Sequence, residues 1–511
     1  MLFNSILFLA FFAVVYFIYW NLTGKSRRAL LIFASIIFYA AWGLQREGWW
    51  GLRWTVHFLL MASMNYLLIR AMLVHPGWKK ALIRLIVILD LSNLGIFKYF
   101  GFLREILLDL GVHLPQEVRD LSIFLPLAIS FYTFQMMAYA IDVHRGQITR
   151  DEGPSRFMFF VMFFPQLIAG PIMRSTDFMP QMDRPDMPKE QMYGGLWLIL
   201  GGLFKKVLLA DPMGIILAPV YREPQIYTGW SIMLAGMCFS LQVYCDFSGY
   251  TDIARGCARL LGYEIPENFK APFFARSARE LWQRWHITLA TWLRDYIYFP
   301  LGGNRLGPVR TYVNLFVTFT LGGLWHGADY TFVLWGALWG FLLAIERFFE
   351  SRLGIRTTPE KSRILLVLKI FLMFVLFSIG AIMFRSQRVH YPDGRLKHTS
   401  GHIMQEMLVG TVTHFPGSAR REYVHAGGDD LLAEMTFGPD VLRLKEIGPM
   451  DNILFMFLAL FFFHLIQYKE NLFAKWRKYD FWLLLIIGAI MGGILMPALA
   501  TGGHQFIYFV F

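Results

Sequence analysis

Apolar stretches of about 20 residues, enough for a helix to cross the hydrocarbon core of a bilayer, recur along the whole chain. The core of a soluble domain with one or two anchors cannot absorb so many. Inside lipid every backbone N–H and C=O must find a partner within the protein. The reading is therefore all-α: a polytopic integral membrane helical bundle. The candidate spans are 2 to 20, 29 to 45, 54 to 74, 80 to 99, 122 to 142, 156 to 172, 193 to 220 and 229 to 262. Later ones are 281 to 300, 310 to 324, 328 to 349, 364 to 384, 452 to 468 and 481 to 500. Several are short or polar, as expected of re-entrant or broken helices buried in protein. Only 16% of the residues are charged, against roughly a quarter in a soluble domain. The 49 Phe, 16 Trp and 22 Tyr suit lipid-facing surfaces and interfacial aromatic belts.

The formal net charge of +12 does not point to nucleic acid, because Lys and Arg stand in short clusters between apolar runs rather than on one basic face. These clusters read as topology. Lys25, Arg27 and Arg28, then Lys79 and Lys80, then Arg145 and Arg150 are each separated by two spans, which places these loops in the cytoplasm and the N-terminus outside. The first apolar run, Leu2 to Trp20, lacks a basic stretch before it and a small-residue cleavage site after it, so it is expected to remain as a helix. Cys238, Cys245 and Cys257 match no zinc or redox spacing and read as buried thiols.

The expected organisation is a membrane bundle over 1–384 holding a catalytic core at about 122–349, a polar loop or small surface subdomain at 385–450, and C-terminal membrane helices over 451–511. The polar stretch carries the turn signals Pro392-Asp393-Gly394, Pro416-Gly417 and Gly427-Gly428. It also carries His390, His398, His402, His414 and His425. His398 and His402 are four apart but lack the acid of a zinc-binding helix motif, so no metal is expected.

Polar residues crowd a membrane-like context between Gln242 and Trp339: Asp246, Asp252, Arg255, Arg259, Arg284, His286, Arg294, Asp295, His326 and Asp329. Such residues are expensive in a bilayer and mark a functional cavity by default, unless they pair with one another to hold the bundle. Wound as one helix, Glu280 to Tyr296 sorts into two faces. Trp282, Trp285, Leu289, Trp292 and Tyr296 form an aromatic stripe, and Glu280, Arg284, Thr288, Thr291 and Asp295 form a polar one. His286 flanks the aromatic stripe, about 160° from Arg284, where a packing role competes with a chemical one. Pro300 and the glycines of Tyr298-Phe-Pro-Leu-Gly-Gly-Asn-Arg305 end that helix. In Leu321-Gly-Gly-Leu-Trp-His-Gly-Ala-Asp329, His326 lies inside an apolar run beside Trp325 and Gly327. Imidazole is the side chain whose unperturbed pKa suits a general base for a hydroxyl, and glycines on either side would admit a bulky donor and acceptor. A packing histidine is the alternative.

The runs Tyr244-Cys-Asp-Phe-Ser-Gly-Tyr-Thr-Asp252, Trp282-Gln-Arg-Trp-His-Ile287, Trp292-Leu-Arg-Asp-Tyr296, Pro300-Leu-Gly-Gly-Asn-Arg305 and Gly323-Leu-Trp-His-Gly327 resemble, in order and spacing, the membrane-bound O-acyltransferase family. They are more narrowly similar to the alginate O-acetyltransferase membrane subunits and their bacterial polysaccharide relatives. Leu125-Pro-Leu-Ala-Ile-Ser-Phe-Tyr-Thr-Phe-Gln135, Phe164-Pro-Gln-Leu-Ile-Ala-Gly-Pro171 and the ending Phe506-Ile-Tyr-Phe-Val-Phe511 fit the same branch, so the resemblance covers nearly the whole chain.

The resemblance implies a funnel-shaped bundle in a bacterial inner membrane, in contact with lipid, with His326 catalytic and His286 as the second polar position. It also assigns Gln166, Asp246, Ser248, Tyr250, Arg284, Trp285, Asp295, Asn304 and Trp325 to the substrate-binding surface. No cofactor is implied: acetyl-CoA is the cytoplasmic donor, a polysaccharide the acceptor, and an exported serine hydrolase-like protein the partner that finishes the transfer. The chain has no GxSxG elbow of its own. The stretch from Arg385 to Met450 is longer than the family pattern leads one to expect and suggests a partner-docking surface. Three other readings compete: D-alanyl transfer to teichoic acid, a polysaccharide transporter without covalent chemistry, and a structural anchor for an export complex. No inverted repeat supports the transporter.

Overall fold

The computed structural model describes residues 3–121, 123–168, 170–183, 188–227, 229–352, 354, 362–386, 388–390, 396–413, 450–468 and 479–500. Nearly all regular structure among them is α-helical, with one short antiparallel pair, Val389–His390 against Leu396–His398. Four helical stretches among the described residues are long and apolar enough to cross a membrane: Gly24–Val74, Ser231–Leu260, Tyr330–Arg352 and Arg363–Arg385. Ile6–Asn21, Leu454–Tyr468 and Asp480–Leu495 are shorter apolar helices. Their large apolar side chains, among them Phe17, Phe33, Leu60, Val367 and Leu372, are exposed, as suits surfaces that meet lipid. The chain is a multi-pass helical membrane protein.

Local chemistry sets the helix ends. Ser5 accepts from Phe8 N at 3.2 Å and Ser362 from Leu365 N at 3.4 Å, each pairing one of the donors a helix start leaves open. Pro154 and Pro308 open their helices at positions where a missing N–H costs nothing. Several expected spans are interrupted. The stretch 156 to 172 divides at Phe163 into Pro154–Met162 and Phe164–Leu167. The stretch 193 to 220 runs as Lys189–Leu203, a π-turn at Phe204–Ala210, and Asp211–Arg222.

The chain divides into two compact units. One comprises Met1–Phe204, Gly249–Glu267 and Tyr479–Val510; the other comprises Lys205–Ser248 and Asn268–Lys478. In the first, Phe3 stacks on Tyr250 at 4.4 Å between ring centroids, and Phe159, Phe163, Phe178 and Tyr263 form a second aromatic cluster. Two glycine pairs bring backbones together there. A Cβ on Gly202 would lie 2.5 Å from Gly249 O, and one on Gly256 would lie 2.6 Å from Gly195 O, the close approach that small residues permit between membrane helices.

The second unit contains the hairpin of Pro308–His326 and Tyr330–Arg352. Here too the backbones touch. A Cβ on Gly323 would lie 2.2 Å from Phe332 O, and one on Gly336 would lie 2.4 Å from Phe319 O. The three cysteines are buried free thiols. Within 385–450, Ser400–Thr413 is helical; Pro392-Asp393-Gly394, Pro416-Gly417, Gly427-Gly428, His414 and His425 lie outside the described residues, as does the terminal run 506–511.

Candidate active site

His326 is the last residue of the helix Pro308–His326 and is buried at 5% exposure. Its ring meets Trp325 at 5.0 Å, Trp335 at 5.1 Å and Phe384 at 5.3 Å, all edge-on. Three elements supply this wall: the helix itself, its hairpin partner Tyr330–Arg352, and Arg363–Arg385. The flanking glycines do something other than admit substrate. Gly323 is filled by the backbone of Phe332 and Gly336, and a Cβ on Gly327 would lie 2.0 Å from the Phe332 ring. Their small size lets the hairpin close and fixes where the helix end, and so the imidazole, sits.

His286 comes to His326 from a different kind of backbone. The expected continuous helix from Glu280 to Tyr296 is broken into Ala278–Arg284, Ile287–Leu293 and a π-turn at Arg294–Tyr298. The two stripes, and the angle between His286 and Arg284, therefore do not describe the molecule. The break falls at His286, in the left-handed region at φ 43°, which costs a non-glycine residue roughly 1–2 kcal/mol. Hydrogen bonds from the 268–270 strip hold the break open: Ile287 N donates to Asn268 O at 3.0 Å, and Lys270 N donates to Arg284 O at 2.9 Å. His286 is 1% exposed, packed edge-on against Phe247 at 4.7 Å, with its ring 6.2 Å from both Trp325 and His326.

The other expected site residues divide into groups. Trp325 lies beside the two histidines, in ring contact with each. Trp285, next to His286, is buried against Phe269, Phe273 and Phe377. Arg284 turns away into an ion pair with Glu280 at 3.0 Å, donates to Lys270 O, and lies over the Tyr468 ring. Burial would raise the Glu280 carboxyl, but Arg276 and Arg284 outweigh it and hold it below the usual range. Asp295 pairs with Arg294 at 2.7 Å. Asp246 pairs with Lys206 at 2.5 Å, and Lys206 also reaches Asp211 at 2.7 Å. Ser248 is buried in the same unit, and Asn304 is exposed in the turn after Pro300. Gln166 and Tyr250 belong to the other unit, where Gln166 donates to Gln135 Oε1 at 3.0 Å and Tyr250 stacks on Phe3.

Most of the crowded charges are thus paired. Asp252 meets Arg255, Arg259 meets Glu264, and Asp329 accepts both from the Ser400 hydroxyl and from Thr331 N. Asn268 and the buried pair Lys205 and Lys206 are not among the expected site residues. Two adjacent lysines in an apolar run are costly and could have been flagged. Nothing in the sequence marks Asn268, because its role depends on a break eighteen residues further on.

Two imidazoles are thus buried among tryptophan and phenylalanine rings, at the meeting of a tight hairpin and a broken helix and out of contact with bulk water. Residues 151–386 match the model of the membrane-bound O-acyltransferase family, and the chain belongs to that family; it is an acyltransferase. It is 38% identical, over 76% of its length and 73% of theirs, to the probable alginate O-acetylases AlgI of Pseudomonas aeruginosa and Pseudomonas syringae pv. tomato. It is 33% identical to the peptidoglycan O-acetyltransferase of Helicobacter pylori, over 68% of this chain and 71% of that one. A more distant likeness, 25% identity over 52% of this chain, is to the teichoic acid D-alanyltransferase of Bacillus subtilis.

Proposed function

We propose that this chain carries an acetyl group from cytoplasmic acetyl-CoA across the bacterial inner membrane for O-acetylation of an exported polysaccharide, handing it to an exported serine hydrolase-like partner. The observation that carries this reading is the pair His326 and His286, 6.2 Å apart between ring centroids, in a chain whose nearer relatives bear the names of polymer O-acetylases. His326 is the general base: it takes the proton of the attacking hydroxyl as that oxygen bonds to the thioester carbonyl carbon. The carbon–sulfur bond then breaks, and the imidazolium returns the proton to the leaving thiolate. Charged CoA need not cross; only the acyl group changes compartment. General-base catalysis contributes about 10²–10⁴-fold, and an aromatic-walled site strengthens the interactions that hold the reacting groups.

Inverted inner-membrane vesicles given acetyl-labelled acetyl-CoA test this reading. Label should be captured inside vesicles bearing the wild-type chain and not inside those bearing His326→Ala at equal amount. Capture that requires a D-alanyl carrier thioester in place of acetyl-CoA would overturn the acetyl reading. Equal capture with His326→Ala would overturn the role of the base.

A further inference from the structure

The side chain of Asn268 carries more than its place in a loop would suggest. Its amide Oδ1 lies 3.2 Å from Thr288 N, 2.9 Å from Thr288 Oγ1 and 3.2 Å from His286 Nδ1. Because Thr288 N–H can only donate, the atom facing it must be the oxygen, and the amide orientation is settled by chemistry rather than by choice. An amide oxygen only accepts, so the proton on this side of the His286 ring sits on Nδ1. The other ring nitrogen, Nε2, is buried and has no hydrogen-bond partner among the described residues. A second proton there would be a buried donor without an acceptor, which is costly.

Asn268 also finishes the backbone. The helix Ile287–Leu293 begins at His286, which provides no side-chain cap. Asn268 Oδ1 serves instead, accepting from Thr288 N, while Asn268 O accepts from Ile287 N at 3.0 Å. One residue thereby holds the left-handed His286 in place and selects its tautomer.

We infer that Asn268 is a positioning residue that fixes His286 as the Nδ1–H tautomer, so that Nε2 presents a lone pair to the site and His286 works as a hydrogen-bond acceptor rather than as the oxyanion donor. Its partner is then a donor, the acceptor hydroxyl or a ring N–H of His326. The oxyanion is stabilised by another group. This inference rests on the proposed function, with His286 paired with His326 in the site, and its tests separate the two.

Solid-state NMR of the full chain with labelled histidine, with His286→Gln identifying the signal, reads the tautomer without any substrate. A proton on Nδ1 and none on Nε2 is expected in the wild type, and an Nε2-protonated ring would overturn the inference. Kinetics of acetyl-CoA-dependent capture in inverted vesicles supply the functional arm. Asn268→Ala should lower kcat tenfold or more with KM for acetyl-CoA nearly unchanged, while Asn268→Asp, whose carboxylate accepts the same three bonds, should retain much of the rate. Added to His286→Gln, Asn268→Ala should cost little further, because both remove one interaction. Full additivity in a chain present at wild-type amount would reduce Asn268 to a cap and overturn the inference. A fully active His286→Gln would instead overturn the proposed part of His286 in the reaction.

Discussion

The two histidines sit in one site but are held by opposite means. His326 ends an unbroken helix whose position is set by steric contact: Gly323 and Gly336 let the backbones touch, and Phe332 fills the space beside Gly327. His286 lies where a helix has been broken, in a left-handed conformation stabilised by hydrogen bonds from Asn268. Packing in a dense core tolerates little change of volume, whereas a hydrogen-bonded break tolerates any side chain that keeps the acceptors in place. The His326 side of the site should therefore fail through bulk, and the His286 side through lost hydrogen bonds.

The largest effect on rate should come from His326→Ala, with acyl transfer falling about 10²–10⁴-fold while the chain still reaches the membrane; transfer assays at matched protein amount check this. Gly336→Leu should act almost as strongly by another route. Its side chain would run into the backbone of the facing helix, costing about 3 kcal/mol or more, and the yield of folded chain in detergent should collapse while Gly488→Leu, at an open position, leaves it unchanged. Lys206→Met would leave the carboxylates of Asp211 and Asp246 facing each other without their shared cation, and removing one partner of a buried ionic group costs about 3–5 kcal/mol. Lys206→Met paired with Asp246→Asn should recover part of that loss in thermal unfolding. A smaller and more pointed effect is expected at the break: His286→Gly should be more stable than His286→Ala by about 1 kcal/mol, because only glycine adopts the left-handed backbone freely. Equal stability of the two would deny the strain. Least of all, His113→Ala, at an exposed loop residue, should change transfer by less than about twofold, since surface substitutions rarely exceed about 0.5 kcal/mol.

Much of the fold was legible because the bilayer writes itself into the sequence as apolar runs: the expected spans 29–45, 54–74, 310–324 and 364–384 fall within observed helices, and 328–349 does so except for its first two residues, which form the bend before Tyr330–Arg352. The breaks were less legible. Nothing between Glu280 and Tyr296 other than the pattern of side chains could be read, and that pattern fits a continuous helix; the interruption at Trp285 and His286 is imposed by hydrogen bonds from residues 268–270. The importance of the glycines around His326 was visible, but not its reason. They accommodate the neighbouring helix, filled by Phe332 and Gly336, and such a contact between segments cannot be told from a gap in the sequence alone. Charged residues divided the same way: their cost in a membrane marked them, while their partners, such as Lys206 for Asp246 and Glu280 for Arg284, emerged only from the fold.

The proposed role of His326 is to drive acyl transfer to an exported polymer. It is tested most directly by the O-acetyl content of the exported polysaccharide from cells carrying the wild-type chain or His326→Ala at equal membrane amount. The account predicts polymer exported in normal quantity but stripped of its acetyl groups; acetylation unchanged by the substitution would contradict it, and loss of export itself would point to transport instead.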